Sequence, residues 1–276
     1  MSRHQPTRTA ALGTESIEKP AIRVSDLQLG YGEEIVVDLD RLVVPRGEVT
    51  ALVGPNGSGK STLLRGFSAE LEPEAGSVLL HGRAVQERSP KALARELGLL
   101  DQENTAPGDL TVESLVTHGR YPHRRFLSTL EAADRRAIDR AIELAGVEHL
   151  REEPVAELSG GQKQLAFVAM VLAQETEVLL LDEPTTYLDL HHQIRVLEVV
   201  RQLNRDREVT VCVVLHDLQQ AARFADYVVA LQDGQVYDWG PPSAVVDEAL
   251  LAEVFDVEAK VSNGDVPRIE PRRALE

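Results

Sequence analysis

The stretch from Gly54 to Thr62 sets the chemistry that this sequence can do. Gly54, Pro55, Asn56, Gly57, Ser58, Gly59, Lys60, Ser61 and Thr62 put two glycines on either side of four residues, directly before a Lys-Ser pair. Small residues let successive backbone N–H groups wrap phosphate oxygens, and a helix opening at the lysine points its positive end at the same anion. In this reading Lys60 reaches the β- and γ-phosphates of a nucleotide and Ser61 places its hydroxyl on Mg²⁺. Thr62 and the helix N-terminus hold the α-phosphate side. The context such a P-loop requires is present, a strand-like VTALVG before it and a helical pattern after it.

VLLLDE at 178–183 supplies the second half of such a site. An apolar buried strand ending in Asp182 delivers a carboxylate to the Mg²⁺ shell. Glu183 comes next, where an acid can polarise a water for in-line attack on the γ-phosphorus, the general-base task in hydrolysis. Without the glycine loop the same two acids would read as no more than a polar strand end.

Elements must hold these residues in place. With 276 residues, 43% apolar and 27% charged, the chain can bury one core, or one core with a satellite subdomain. After residues 1–20, read as a mobile tail, IRVSDLQLGYG and VVDLDRLVVPRGEVTALVG are Val- and Leu-rich strands punctuated by Gly and Pro, which predicts an N-terminal sheet. A short helical stretch at 90–96 leads to the strand LGLL and then to Asp101 and Gln102. Residues 110–157 carry apolar positions at helical spacing, notably Leu130, Ala133, Ile138, Ile142 and Leu144, and read as a helical insert. Strand and helix then alternate: VLLLD, a helix over 191–205, VTVCVVL at 209–215, a helix from Asp217, and YVVAL at 227–231. That alternation predicts an α/β fold with a largely parallel sheet. SAVVDEALLAEVF forms one amphipathic stretch, and residues 262–276 read as a polar tail.

Composition narrows the class. No apolar run approaches the ~18–20 residues that span a bilayer, and the N-terminus lacks the apolar core of a secretory signal. The net charge of −16 argues against nucleic acid as a partner, since phosphate backbones are bound by clustered Lys and Arg. Only five of the 29 basic residues are Lys, a balance that fits either a high-salt host or a GC-rich genome. Cys212, the one cysteine, lies in VTVCVVL and reads as a small buried thiol. His191 and His192 are adjacent on a helix, diverge by about 100°, and make a poor metal pair. Arg120, Arg124 and Arg125 read as a basic solvated face on the insert.

LSGGQ at 158–162 heads a helix running to Ala173, some 20 residues before Asp182. It is the ABC signature. With Gly54 to Thr62, Gln102, Asp182, Glu183, Asp189 and His216 in that order, the chain resembles an ABC transporter ATPase from about residue 21 to 240. The resemblance implies a P-loop NTPase core with a mostly parallel sheet, an N-terminal antiparallel β subdomain and an α-helical insert at about 103–157, all within an ATPase domain of residues 21–261. It implies ATP and Mg²⁺ as ligands, with Ser61, Gln102 and Asp182 around the metal. Gln102 resembles the glutamine that touches the Mg²⁺ and the lytic water, and His216 the histidine that contacts the γ-phosphate. Tyr31, in LGYG, resembles the aromatic ring that stacks on adenine, although a core or turn tyrosine is an alternative. Ser159, Gly160, Gly161 and Gln162 resemble the helix tip that binds the γ-phosphate of ATP held by a second copy, so the partner implied is a head-to-tail twin. Such an end suits an anion on physical grounds. Asp189, in TTYLD, resembles the residue passing between the two subunits.

The further partners implied are integral-membrane permease subunits and, indirectly, an extracytoplasmic binding protein, with the chain peripheral on the cytoplasmic face of the membrane. GRYPHRR (119–125), AMVLAQETEVLLLDEPTTYLDLHHQ (169–193) and LLAEVFDVEAKV (250–261) are similar to ATPases of importers for ferric siderophores, haem and cobalamin. TTYLD with its following HQ leans to siderophores. QKQLAF after the signature departs from the family's more arginine-rich run, which bears on how that helix is anchored and on the hydrolysis rate. A soluble ABC ATPase acting on ribosomes or DNA is the competing reading. It usually carries two cassettes or a long coiled-coil or basic insert, and neither is visible here.

Overall fold

The computed structural model describes residues 19–102, 104–107, 109–124, 129–262, 264 and 266–275. The tail expected over 1–20 thus lies outside the described residues up to position 18, as does Arg125. Contacts divide the chain into two units, one of residues up to 87 and from 212 onward, the other of residues 88–211.

The first unit begins with β1 (Ile22–Tyr31), β2 (Glu34–Val44) and β3 (Val49–Val53). Alternation decides which face of β1 is covered: Ile22 and Val24 are buried, and so are Leu27 and Leu29. The switch from even to odd positions requires an extra residue. It falls where the pairing of β1 shifts register, between Ser25 and Gln28, with Asp26 in the left-handed region at φ 47°. Helix α1 (Lys60–Phe67) buries Leu63, Leu64 and Phe67, and β4 (Ala75–Leu80) with β5 (Arg83–Ala84) closes a four-stranded antiparallel sheet of order β2-β1-β4-β5.

The second unit opens with the short helix α2 (Pro90–Leu93), capped by Ser89, and β6 (Leu97–Leu100). Helices α3 (Val112–His118), α4 (Ala132–Ala145) and α5 (Gly160–Leu172) pack on one another. In α4 the buried stripe is Ala137, Ile138, Ala141, Ile142 and Ala145, while Ala133 is exposed and Leu130 and Leu144 are only half-buried. Ile138 and Ile142 lie on the inner face as the spacing predicts, but Ala137, Ala141 and Ala145 complete it in place of Leu130, Ala133 and Leu144. Strand β7 (Val178–Leu181) pairs in parallel with β6, and helix α6 (Leu190–Arg207) follows. Strand β8 (Thr210–Val214) runs from this unit back into the first; its Cys212 is buried.

The first unit resumes with α7 (Leu218–Phe224), β9 (Tyr227–Gln232) and β10 (Gln235–Gly240). Here β9 lies between β10, antiparallel, and β3, parallel. The amphipathic stretch expected over 243–255 is two short helices, α8 (Pro242–Val245) and α9 (Glu248–Glu253), because Asp247 breaks the run and caps the second one. Where the sequence reads as a polar tail from 262, β12 (Arg268–Ala274) pairs antiparallel with β11 (Val257–Ser262). Gln219 holds that hairpin, donating to the carbonyl of Pro267 at 2.9 Å and accepting from Ile269 N at 3.0 Å. A polar surface on both faces had hidden the strand. Among the described residues no helix is long and apolar enough to cross a membrane.

The basic face expected at Arg120 and Arg124 is corrected. Arg120 is buried, its Nε donating to Asp134 Oδ1 at 3.0 Å and its Nη1 to the Ala173 carbonyl at 2.7 Å and Glu175 Oε2 at 3.3 Å. Arg124 is half-buried with its guanidinium over the Tyr121 ring. The acids that neutralise Arg120 lie 14 and 55 residues away in sequence, so local charge counting does not find them.

Candidate active site

In the first unit the phosphate-loop residues leave the end of β3 and run into α1. Gly54 sits at φ 152°, and a β-carbon there would stand 2.2 Å from the Leu231 carbonyl oxygen, so only glycine fits. Gly59 is the N-cap of α1 and brings no side-chain hydrogen bond to the helix end. No hydrogen bond is made by the N–H groups of Asn56, Gly57 or Gly59 among the described residues, and a β-carbon on Gly57 would meet nothing within 4 Å. Open backbone donors at an uncapped helix start are what a phosphate group requires, so the loop fits one.

Lys60 is buried, with Nζ donating to the carbonyl oxygens of Gly54 at 3.0 Å and Pro55 at 2.7 Å and to Ser58 Oγ at 3.5 Å. Its charge is therefore held over the loop by the loop's own oxygens. Thr62 is buried and Ser61 half-buried at the start of the helix. Tyr31, 48% exposed, ends β1, and its hydroxyl accepts from Arg65 Nη1 at 3.1 Å, which ties the ring to α1. His216 is exposed just beyond β8, followed by Asp217, whose carboxylate caps α7 through the N–H groups of Gln219 and Gln220.

In the second unit Asp182 is buried at the end of β7, and Glu183 follows in the left-handed region at φ 49°. For a non-glycine residue that conformation costs about 1–2 kcal/mol, and here it turns the carboxylate toward Gln102. The side-chain amide of Gln102, just beyond β6, donates to Glu183 Oε2 at 2.8 Å. The hydroxyl of Thr186 donates to the same oxygen at 3.1 Å. One carboxylate oxygen is thereby fixed from two sides, an arrangement suited to aiming a base.

The signature residues form the tip of α5. Ser159 is its N-cap and Gln162 completes a capping box, the Gln162 side chain accepting from Ser159 N at 3.0 Å. Ser159 and Gly160 are exposed, and a β-carbon on Gly160 would meet nothing. Gly161 has the His192 ring against it. Asp189 caps α6, accepting from His192 N at 2.9 Å, and its carboxylate also lies 2.9 Å from His192 Nδ1. The backbone and ring hydrogen bonds of His192 hold the Asp189 carboxyl below the usual carboxylate range. Tyr187, next to this loop, is 97% exposed.

Two contributors escaped sequence reading. Thr186 carries no signal of its own beside an acid. His192, a poor metal ligand beside His191, stands three residues after Asp189, a spacing at which helical side chains meet. The structure makes it the link between the Asp189 loop and the α5 tip.

Residues 38–186 match the family model described as ABC transporter. The ferric enterobactin transport ATP-binding protein FepC of Escherichia coli (strain K12) is 43% identical over 253 residues, 92% of this chain and 93% of that protein. The petrobactin import ATP-binding protein FpuD of Bacillus anthracis is 45% identical over 242 residues, 88% of this chain and 89% of that protein. Among solved structures, a dimeric bacterial ABC transporter cassette superposes with a TM-score of 0.70 at 26% identity, covering 80% of this chain and 98% of that one. The chain belongs to the ABC transporter family, as one of its ATP-binding, ATP-hydrolysing subunits.

Proposed function

We propose that the chain powers import of an iron–siderophore complex, hydrolysing ATP as one of two identical cassettes on the cytoplasmic face of a membrane permease. The observation that carries the catalytic half is Glu183 held by Gln102 and Thr186 through one oxygen. The import half is supported by the names of the two relatives, a ferric enterobactin transport ATP-binding protein and a petrobactin import ATP-binding protein.

In this reading Gly54, Pro55, Asn56, Gly57, Ser58 and Gly59 wrap the phosphates with their backbone while Tyr31 stacks on the adenine. Lys60 exchanges its contacts with the Gly54 and Pro55 carbonyls for the β- and γ-phosphate oxygens. Ser61, Asp182 and Gln102 are the residues that would hold Mg²⁺, which when bound would supply charge neutralisation at the phosphate oxygens. Glu183 accepts the proton of the attacking water, and His216 holds that water against the γ-phosphate. Ser159, Gly160, Gly161 and Gln162 present the α5 tip to the ATP of the second copy, and Asp189 passes between the copies. The dimeric solved relative supports such pairing. Closure of the pair on ATP drives the permease, and hydrolysis resets it. The ligand crosses through the permease, delivered by an extracytoplasmic binding protein, and does not touch this chain.

The test is purification of the chain with its co-expressed permease into liposomes. ATPase activity rising with a ferric siderophore and its binding protein supports the reading. Stimulation by cobalamin or haem instead, or by ribosomes without any permease, overturns it.

A further inference from the structure

Helix α1 opens at Lys60, the residue read as reaching the β- and γ-phosphates, and carries Arg65 five positions on, about 7.5 Å along its axis. Arg65 Nη1 donates to the Tyr31 hydroxyl at 3.1 Å. A single helix thus holds both the phosphate end of the nucleotide site and the ring at its base end.

The packing beside Arg65 makes this contact a consequence of the fold. A β-carbon on Gly66 would stand 2.5 Å from Leu29 Cδ1, so glycine lets α1 sit directly on β1. Leu29 is fully buried in that seat, and Tyr31 comes two residues later. Between them, a β-carbon on Gly30 would stand 2.2 Å from the Glu34 carbonyl oxygen, so the turn from β1 into β2 is also closed tightly. Seat and turn together bring the hydroxyl of an exposed tyrosine to the guanidinium of an exposed arginine.

An exposed side chain at a strand end has several staggered rotamers open to it. Stacking on a flat base needs one of them, and ordering the ring only when the base arrives costs affinity. A hydroxyl already tied to α1 removes that cost before binding.

We infer that Arg65 is a positioning residue for the nucleotide base: through the Tyr31 hydroxyl it sets the ring in its stacking orientation, at a distance from the phosphate loop that α1 fixes. The inference rests on the reading of Tyr31 as the adenine platform and adds the residue that orients it.

The test titrates the full chain calorimetrically with ATP in the absence of metal, and separately with inorganic tripolyphosphate, which has no base. Arg65→Ala, Tyr31→Phe, their combination and Tyr31→Ala are compared with the parent. Tyr31→Ala removes the platform and should weaken ATP binding at least about tenfold. Arg65→Ala and Tyr31→Phe each remove only the anchor and should weaken it about three- to tenfold. Because Arg65 has further contacts, the combined variant isolates this one: it should bind ATP no more weakly than either single variant. Affinity for tripolyphosphate should stay at the parent value throughout. Arg65→Ala binding ATP like the parent while Tyr31→Ala binds it weakly overturns the role of Arg65 and leaves the platform standing. Losses that add in the combined variant, or a parallel loss of tripolyphosphate binding, also overturn it, since they show damage to α1 rather than to the ring. Tyr31→Ala binding ATP like the parent overturns the platform itself, and the inference with it.

Discussion

The ring of His192 occupies the space that a β-carbon on Gly161 would need: built on this backbone, that carbon stands 2.2 Å from His192 Cδ2 and Cγ. The same ring meets the Asp189 carboxylate through Nδ1. A glycine of the signature and an aspartate of the loop before α6 are thus spaced by one imidazole. Gly161→Ala is expected to push the ring away and cost about 1–3 kcal/mol of stability, as overpacking does. Because the clash is with a side chain, His192→Ala in the same chain should recover most of the loss. Urea unfolding of the two single variants and the double variant measures this, and simple additivity of the two losses would contradict the contact.

Gln102 acts on Glu183 through a single 2.8 Å hydrogen bond to the oxygen that Thr186 also holds. Hydrogen bonds to charged groups are worth about 1.5–3 kcal/mol. Gln102→Ala should therefore lower kcat about tenfold or more while leaving nucleotide affinity in the absence of metal close to that of the parent. Steady-state kinetics with separate binding titrations check the split. A fall in affinity alone, with kcat intact, would contradict an orienting role.

The Arg120 cluster links acid stability to the helical part of the second unit. Burial pushes the Asp134 carboxyl up, but the Glu131 backbone N–H and the hydrogen bond and charge of Arg120 more than offset it, so the group stays below its ordinary value. Glu175 behaves alike: burial raises it, and the hydrogen bond and charge of Arg140, with the charges of Arg120 and Arg207, bring it down. Depressed carboxyls stabilise the fold fully above the unfolded value of about 4, and that stabilisation is lost as pH falls through the folded value. Arg120→Met leaves two acids without their buried partner and should cost about 3–5 kcal/mol at pH 7. The gap to the parent should shrink below pH 4, where the acids become protonated. Urea midpoints from pH 7 to 3 test it, and a gap that does not change with pH contradicts the ion-pair account.

Pairing of two copies predicts complementation in trans. Lys60→Ala disables the phosphate loop, and Ser159→Arg blocks the α5 tip, so each variant alone should be inactive. A mixture forms pairs in which the intact loop of one chain meets the intact tip of the other, and activity should reappear. Its failure to reappear, with mixed pairs demonstrated by crosslinking, counts against a shared site.

The glycine loop, the VLLLDE run and the LSGGQ run are legible in the sequence because each is a local pattern of adjacent residues. The strand and helix alternation is legible for the same reason. What is not legible is non-local or lacks contrast. Arg120 looks solvated until Asp134 and Glu175 are brought to it. The β12 strand is polar on both faces and gives no alternation to read. His192 acts through a glycine 31 positions earlier, and only a fold reveals that approach.

Single-turnover hydrolysis by Glu183→Gln, alongside nucleotide binding by the same variant, bears most directly on the chemistry assigned to this chain. Loss of a general base slows reaction by about 10²–10⁴-fold, so binding should persist while cleavage nearly stops and the ATP-bound pair accumulates. Cleavage by Glu183→Gln at the parent rate would show that the carboxylate held by Gln102 and Thr186 is not the base.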